Sequence, residues 1–140
     1  MKLEVTTETN LKIEQAQQLI IAAARSAMRD TVVAIHGDAM RLSPKKTGNN
    51  MRSIASEVSE DESLIKGSVF STSGYGGWLE VGTAPHKISV KTAKVLTDGK
   101  TFFGKEVQHP GTAPHPYLKP ALDMNFTPEH FAEKVEEYLK

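Results

Sequence analysis

The chain has 140 residues, of which 17 are basic and 17 acidic, so its formal net charge is zero. That length predicts one domain, residues 1–140, able to bury a core of its own, and the charge balance supplies no global field for holding nucleic acid or an anionic membrane. Cysteine is absent, which excludes disulfides and thiolate metal sites, while the longest apolar run, residues 19–24, is far too short to span a bilayer. The first residues, MKLEVTTET, lack the apolar stretch of a secretory signal. The expectation is a protein made in the cytoplasm with no membrane partner.

A helix is predicted from about Leu11 to Leu42, because Ile13, Ala16, Ile20, Ala23, Ala27, Ala34 and Leu42 recur mostly at steps of three and four. Thr9 or Asn10 is the expected N-cap, Pro44 the stop, and Gly37 a point of bending or division. Roughly 30 residues at ~1.5 Å each give about 45 Å of helix, longer than a domain of this size needs for its own core. The alanine-rich stripe predicts close packing on a sheet or a second helix. SPKKTGNN then breaks the pattern with Pro44 and Gly48.

Two alternating segments, Ile54 to Ser59 and Leu64 to Ser71, flank EDES and read as a β-hairpin. GYGGWLEVGT predicts a short helical turn or strand packed on that hairpin, with Trp78 in the core. TDGK is a hairpin turn between Lys94–Leu96 and Thr101–Val107, since Asp-Gly readily takes positive φ. Tyr117 to Lys140 reads as helical, with Phe131, Val135, Tyr138 and Leu139 on one stripe and Pro128 in a first turn after Thr127. The fold class expected is α+β: a long N-terminal helix and a C-terminal helix on an antiparallel β-sheet, with a projecting β-hairpin arm at residues 84–112.

The pentapeptide GTAPH occurs at Gly82–His86 and again at Gly111–His115, with His109 just ahead of the second copy. A zinc site would recruit His86, His109 and His115, with Glu106 or Asp123, and an open fourth position. The spacing is not that of a short His pair, however, and the neighbouring prolines serve turns equally well. Nucleophilic chemistry lacks a G-x-S-x-G elbow, and GYGG lacks the spacing of a phosphate-binding loop. Glu60, Asp61 and Glu62 fall on a predicted turn as a solvated run. The expectation is therefore no catalytic residue, no metal and no cofactor. The two copies instead mark the bases of one projecting hairpin, with Phe102 and Phe103 near its tip either as a candidate partner surface or folded back on the domain.

SPKKTGNNMRSI, GSVFSTSGYGGWLEVGT and HPGTAPHPYLKPAL resemble the small neck, or tail-completion, proteins of long-tailed bacteriophages and prophages, also described as minor tail components. The matching positions are Pro44, Thr47 and Gly48; Tyr75, Glu80, Gly82 and Thr83; then His109 to Ala121, including Pro110 and Gly111, with Tyr117 in the aromatic place. The resemblance covers roughly residues 10–125. It departs after Thr-Gly, where a leucine and an arginine are usual and Asn50 and Met51 stand, with Arg52 following.

This resemblance implies a structural protein of the virion neck, the head–tail junction. Such a protein is made in the host cytoplasm, assembles as a homo-oligomeric ring, and contacts other neck, connector and tail proteins while DNA passes nearby. A tail terminator or head-closure protein of the same virion is the alternative within that class, and a histidine-liganded, metal-dependent hydrolase the alternative outside it. The candidate assembly residues are Phe102, Phe103, His86, His109, His115, Tyr117 and Leu118. The structural motif comprises Pro44, Thr47, Gly48, Trp78, Glu80, Gly82, Thr83, Pro110 and Gly111.

Overall fold

The computed structural model describes residues 2–62 and 64–140, with side chains from residue 12 onward. Helix α1 (Lys2–Leu42) runs unbroken through Gly37, and its start lies ahead of the expected caps Thr9 and Asn10. Gly37 sits on the exposed side with nothing near it, so its lack of a side chain costs propensity without dividing the helix. The chain then turns at Pro44 into the single turn α2 (Asn49–Arg52).

Strands β1 (Ile54–Asp61) and β2 (Leu64–Ser71) form the predicted hairpin, in register from Ile54 opposite Ser71 to Asp61 opposite Leu64. Helix α3 (Gly76–Val81) follows. The arm contains β3 (His86–Ser89), β4 (Leu96–Thr97), β5 (Phe102–Gly104) and β6 (Glu106–His109). Its pairing is nested: β3 pairs with β6 as an outer ladder, and β4 pairs with β5 at the tip. The expected strand Thr101–Val107 is thus divided between two ladders, with a register irregularity at Leu96/Thr97. Among the described residues the strands make three separate two-stranded antiparallel ladders.

The last segment is two helices, α4 (Leu118–Asn125) and α5 (Pro128–Leu139), where the sequence predicts one. The break has a local cause. Phe126 and Thr127 are extended, Thr127 accepts the His130 N–H at 3.1 Å, and Pro128 takes the first helical position, where no backbone donor is missed.

Helix α1 packs against both strands of the hairpin and against α4 and α5. Its inward face is Ala23, Ala27, Thr31, Val32, Ile35 and Ala39. Ile35 and Ala39 meet Ile54, Tyr117 and Ala121 in the buried cluster, with Met40, Leu42, Val69, Leu79 and Leu118 around it. The alanines bring neighbouring backbones close, so Val32 and Ile35 are the only large apolar side chains of α1 buried in this core among the described residues. Asp38 accepts from Asn125 Nδ2 at 2.8 Å, and Tyr138 donates to Asp30 at 2.5 Å; these bonds align α4 and α5 along α1. The Asp30 carboxylate holds the Tyr138 hydroxyl above the usual tyrosine range, since removing its proton would break that bond.

Candidate functional site

The two GTAPH copies pair with each other. Thr83 and Thr112 form an antiparallel bridge through mutual N–H···O bonds of 2.9 and 3.0 Å. The same register continues outward through His86 opposite His109 to Ser89 opposite Glu106. An antiparallel contact between identical pentapeptides is symmetric about its centre, so each copy meets the same surroundings from the other. The glycines show this directly. A Cβ on Gly82 would lie 2.5 Å from Thr112 O, and one on Gly111 would lie 2.3 Å from Thr83 O. Gly82 also holds φ 73 and ψ −178, a region open essentially to glycine alone. The repeat is one close-packed solution used twice, and it clamps the arm's base where independent hinges would leave it loose.

The histidine rings of that base stack with centroids 4.9 Å apart. His86 Nδ1 lies 2.8 Å from Ala84 O, so it is the nitrogen that donates. His109 Nδ1 accepts the Gly111 N–H at 3.0 Å, which places the proton of its neutral form on Nε2. His115 is exposed, and its backbone N–H donates to Leu79 O at 2.7 Å. Among the described residues no group of three or more His, Asp and Glu side chains gathers as a metal-binding set. The hydrogen bond at His109 Nδ1 also fixes the tautomer opposite to the one a metal at Nε2 requires.

Glu80 joins α3 to the start of α4. Its Oε2 accepts the Tyr117 and Leu118 N–H groups at 2.8 and 2.9 Å, and its Oε1 accepts that of Lys119 at 2.8 Å. The next residue, Pro120, has no N–H to offer. One carboxylate from α3 therefore satisfies every free donor at the start of α4 and places negative charge at its positive end.

Two placements differ from expectation. Trp78 is 62% exposed, because the short helix α3 turns Leu79 and Glu80 inward and leaves Trp78 and Val81 outside. The buried aromatic is Tyr117, fully enclosed, its hydroxyl donating to Gly76 O at 3.2 Å. Tyr117 is thus removed from the candidate assembly surface, and Leu118 is half-buried against the core cluster. Phe102 and Phe103 remain on the surface, 75% and 45% exposed. His86 is exposed and His109 half-buried at the arm's base.

The departure at Asn50 also acquires a role that residue type alone did not signal. Asn50 is buried, donates to Ser43 Oγ at 3.0 Å, and accepts from Ser71 and Ser73 hydroxyls at 2.7 and 2.9 Å. It ties the end of α1 to the end of β2 where a leucine could bond neither. Arg52 folds back over Gly48 and donates to Thr47 O at 3.3 Å, closing the turn after Pro44. His36 links α1 to β1 by donating from Nε2 to Ile54 O at 3.1 Å while Nδ1 faces the Ser56 hydroxyl. No protein-family model matches the chain, and no curated protein or solved structure does either.

Proposed function

We propose that this chain is a structural protein of a bacteriophage neck, whose copies close into a ring between the capsid connector and the tail. The observation that carries the proposal is the apolar surface that one copy leaves uncovered. The stripe of α1 that faces the core from Ala23 to Ala39 continues toward the N-terminus through Ile13 and Ile20, which are 50% and 51% exposed. The arm likewise carries Phe102 and Phe103 outward at a clamped base. Extended apolar faces of this kind belong to subunit contacts, and different patches meeting head to tail generate a ring when the rotation closes. The motifs around Pro44, Glu80 and Pro110, which resemble those of neck proteins, support the same reading, and zero net charge suits a channel that lets DNA slide through.

Deletion of the gene from its phage tests the role. Electron microscopy of the lysate is expected to show filled heads and finished tails that have not joined. A normal yield of infectious particles from that lysate would refute the assignment.

A further inference from the structure

The neutrality of the whole chain hides a separation of charge. From His86 to His109 the arm carries Lys87, Lys91, Lys94, Lys100 and Lys105 against Asp98 and Glu106, a net +3. Helix α5 carries Glu129, Glu133, Glu136 and Glu137 against Lys134, a net −3. Among the described residues, Lys87–Glu106 at 2.8 Å is the one ion pair in either segment. Among the described residues the lysines flanking the arm tip and the α5 glutamates therefore have no opposite partner.

Beside α5 lies an apolar groove of about 550 Å³ between α1, β2 and α4, lined by Met28, Val32, Val69, Leu118, Leu122 and Phe126. Helix α5 begins two residues after Phe126, so its acidic surface starts at the groove's edge. At the arm tip, Phe103 shares a shallow cup with Ile88, Leu96 and Val107 of the arm itself, whereas Phe102 stands 75% exposed. An apolar anchor flanked by lysines thus exists on one surface; on another is an apolar groove, lined also by Lys119 in its ion pair with Asp123, at whose Phe126 end the acidic helix begins.

We propose that the arm of one copy docks on the next copy, with Phe102 seated in the α1–β2–α4 groove and the arm lysines laid along α5. The contact rests on the head-to-tail ring proposed above and names its occupant. Two different patches meet, as a ring requires, and the opposite charges orient the encounter. The uncovered stripe of α1 suits this groove less well. Between residues 12 and 24 its only charges, Lys12 and Glu14, cancel and offer nothing to the acidic helix.

The absence of cysteine makes the test clean, because each introduced thiol is unique. Thr101→Cys, which keeps the Phe102 anchor beside it, Ile20→Cys and the control Ser59→Cys are each mixed with Leu122→Cys, at the groove rim, and treated with a short thiol–thiol cross-linker. Lys119→Cys, also lining the groove, replaces Leu122→Cys if that variant unfolds. The Thr101–Leu122 product is expected in several-fold excess over the Ser59 control, with the excess shrinking as salt is raised from about 20 to about 500 mM. Equal yields overturn the docking, and a dominant Ile20 product overturns it in favour of the neighbour's α1. The mass of the unmodified protein separates the two proposals. Closed multimers without a Thr101 preference leave the ring standing and remove the docking; a Thr101 preference with only two-copy species does the reverse.

Discussion

Replacing Glu80 by alanine exposes how much of the fold depends on one carboxylate. It removes three bonds of 2.8–2.9 Å to the backbone N–H groups that open α4. A capping side chain contributes about 0.5–2 kcal/mol, and a hydrogen bond to a charged acceptor about 1.5–3 kcal/mol. The three bonds share one carboxylate and one helix end, so they do not add in full, and water can reach Lys119 N after the change. We expect a loss of about 2–4 kcal/mol, a large share of the roughly 5–15 kcal/mol that holds a domain together. For a chain of this length that lowers the melting temperature by about 6–12 °C. Glu80→Gln is the sharper probe. Its oxygen can take the place of Oε2 and keep the Tyr117 and Leu118 bonds while its NH₂ faces the Lys119 N–H, so it should fall between alanine and the parent. Urea unfolding followed by circular dichroism gives both values. A loss below about 0.5 kcal/mol for Glu80→Ala would show that the helix start is served by solvent and that the link between α3 and α4 is incidental.

Gly82→Ala and Gly111→Ala should each loosen the arm's base. Hydrogen exchange of Lys87 to Ser89 is expected to accelerate while the amides of α1 near Ile35 stay protected; unchanged protection in β3 would mean that the backbone absorbs the added methyl. Trp78→Ala should change stability by less than about 1 kcal/mol, whereas Tyr117→Ala should cost about 3–5 kcal/mol. A reversed order in thermal unfolding would place the core elsewhere. Asp38 is held below the usual carboxylate range by its bonds to Asn125 and Arg41, and Glu60 by Arg25. Because both folded values are depressed, their contribution is fully present above about pH 5 and is lost as pH falls through the folded values. The melting temperature should decline on acidification, and Asp38→Asn with Glu60→Gln should flatten that decline; an identical profile in the double variant would assign it to other groups.

Periodicity carried the main elements because the forces behind them are local. The step of three and four along α1, the alternation in β1 and β2, and Thr127 ahead of Pro128 each depend on neighbours a few residues away. The same local signals misled where two answers were equally good. Trp78 sits among apolar residues and glycines, and nothing in that stretch says which side of a six-residue helix turns inward. Tyr117 lies between prolines and a helix start, and its complete burial depends on α1, α3 and β1 arriving around it.

The candidate site divides in the same way. That GTAPH is repeated, that the arm is basic and that the last helix is acidic are properties of the sequence by itself. That the two copies pair about Thr83 and Thr112, that Glu80 closes a helix 37 residues later in the chain, and that Phe126 brings the acidic helix to the rim of an apolar groove were decided only by the tertiary structure. Composition and pattern set which groups can meet. Which of them do meet depends on closing long loops, and the energy of that closure comes from contacts that no short window of sequence contains.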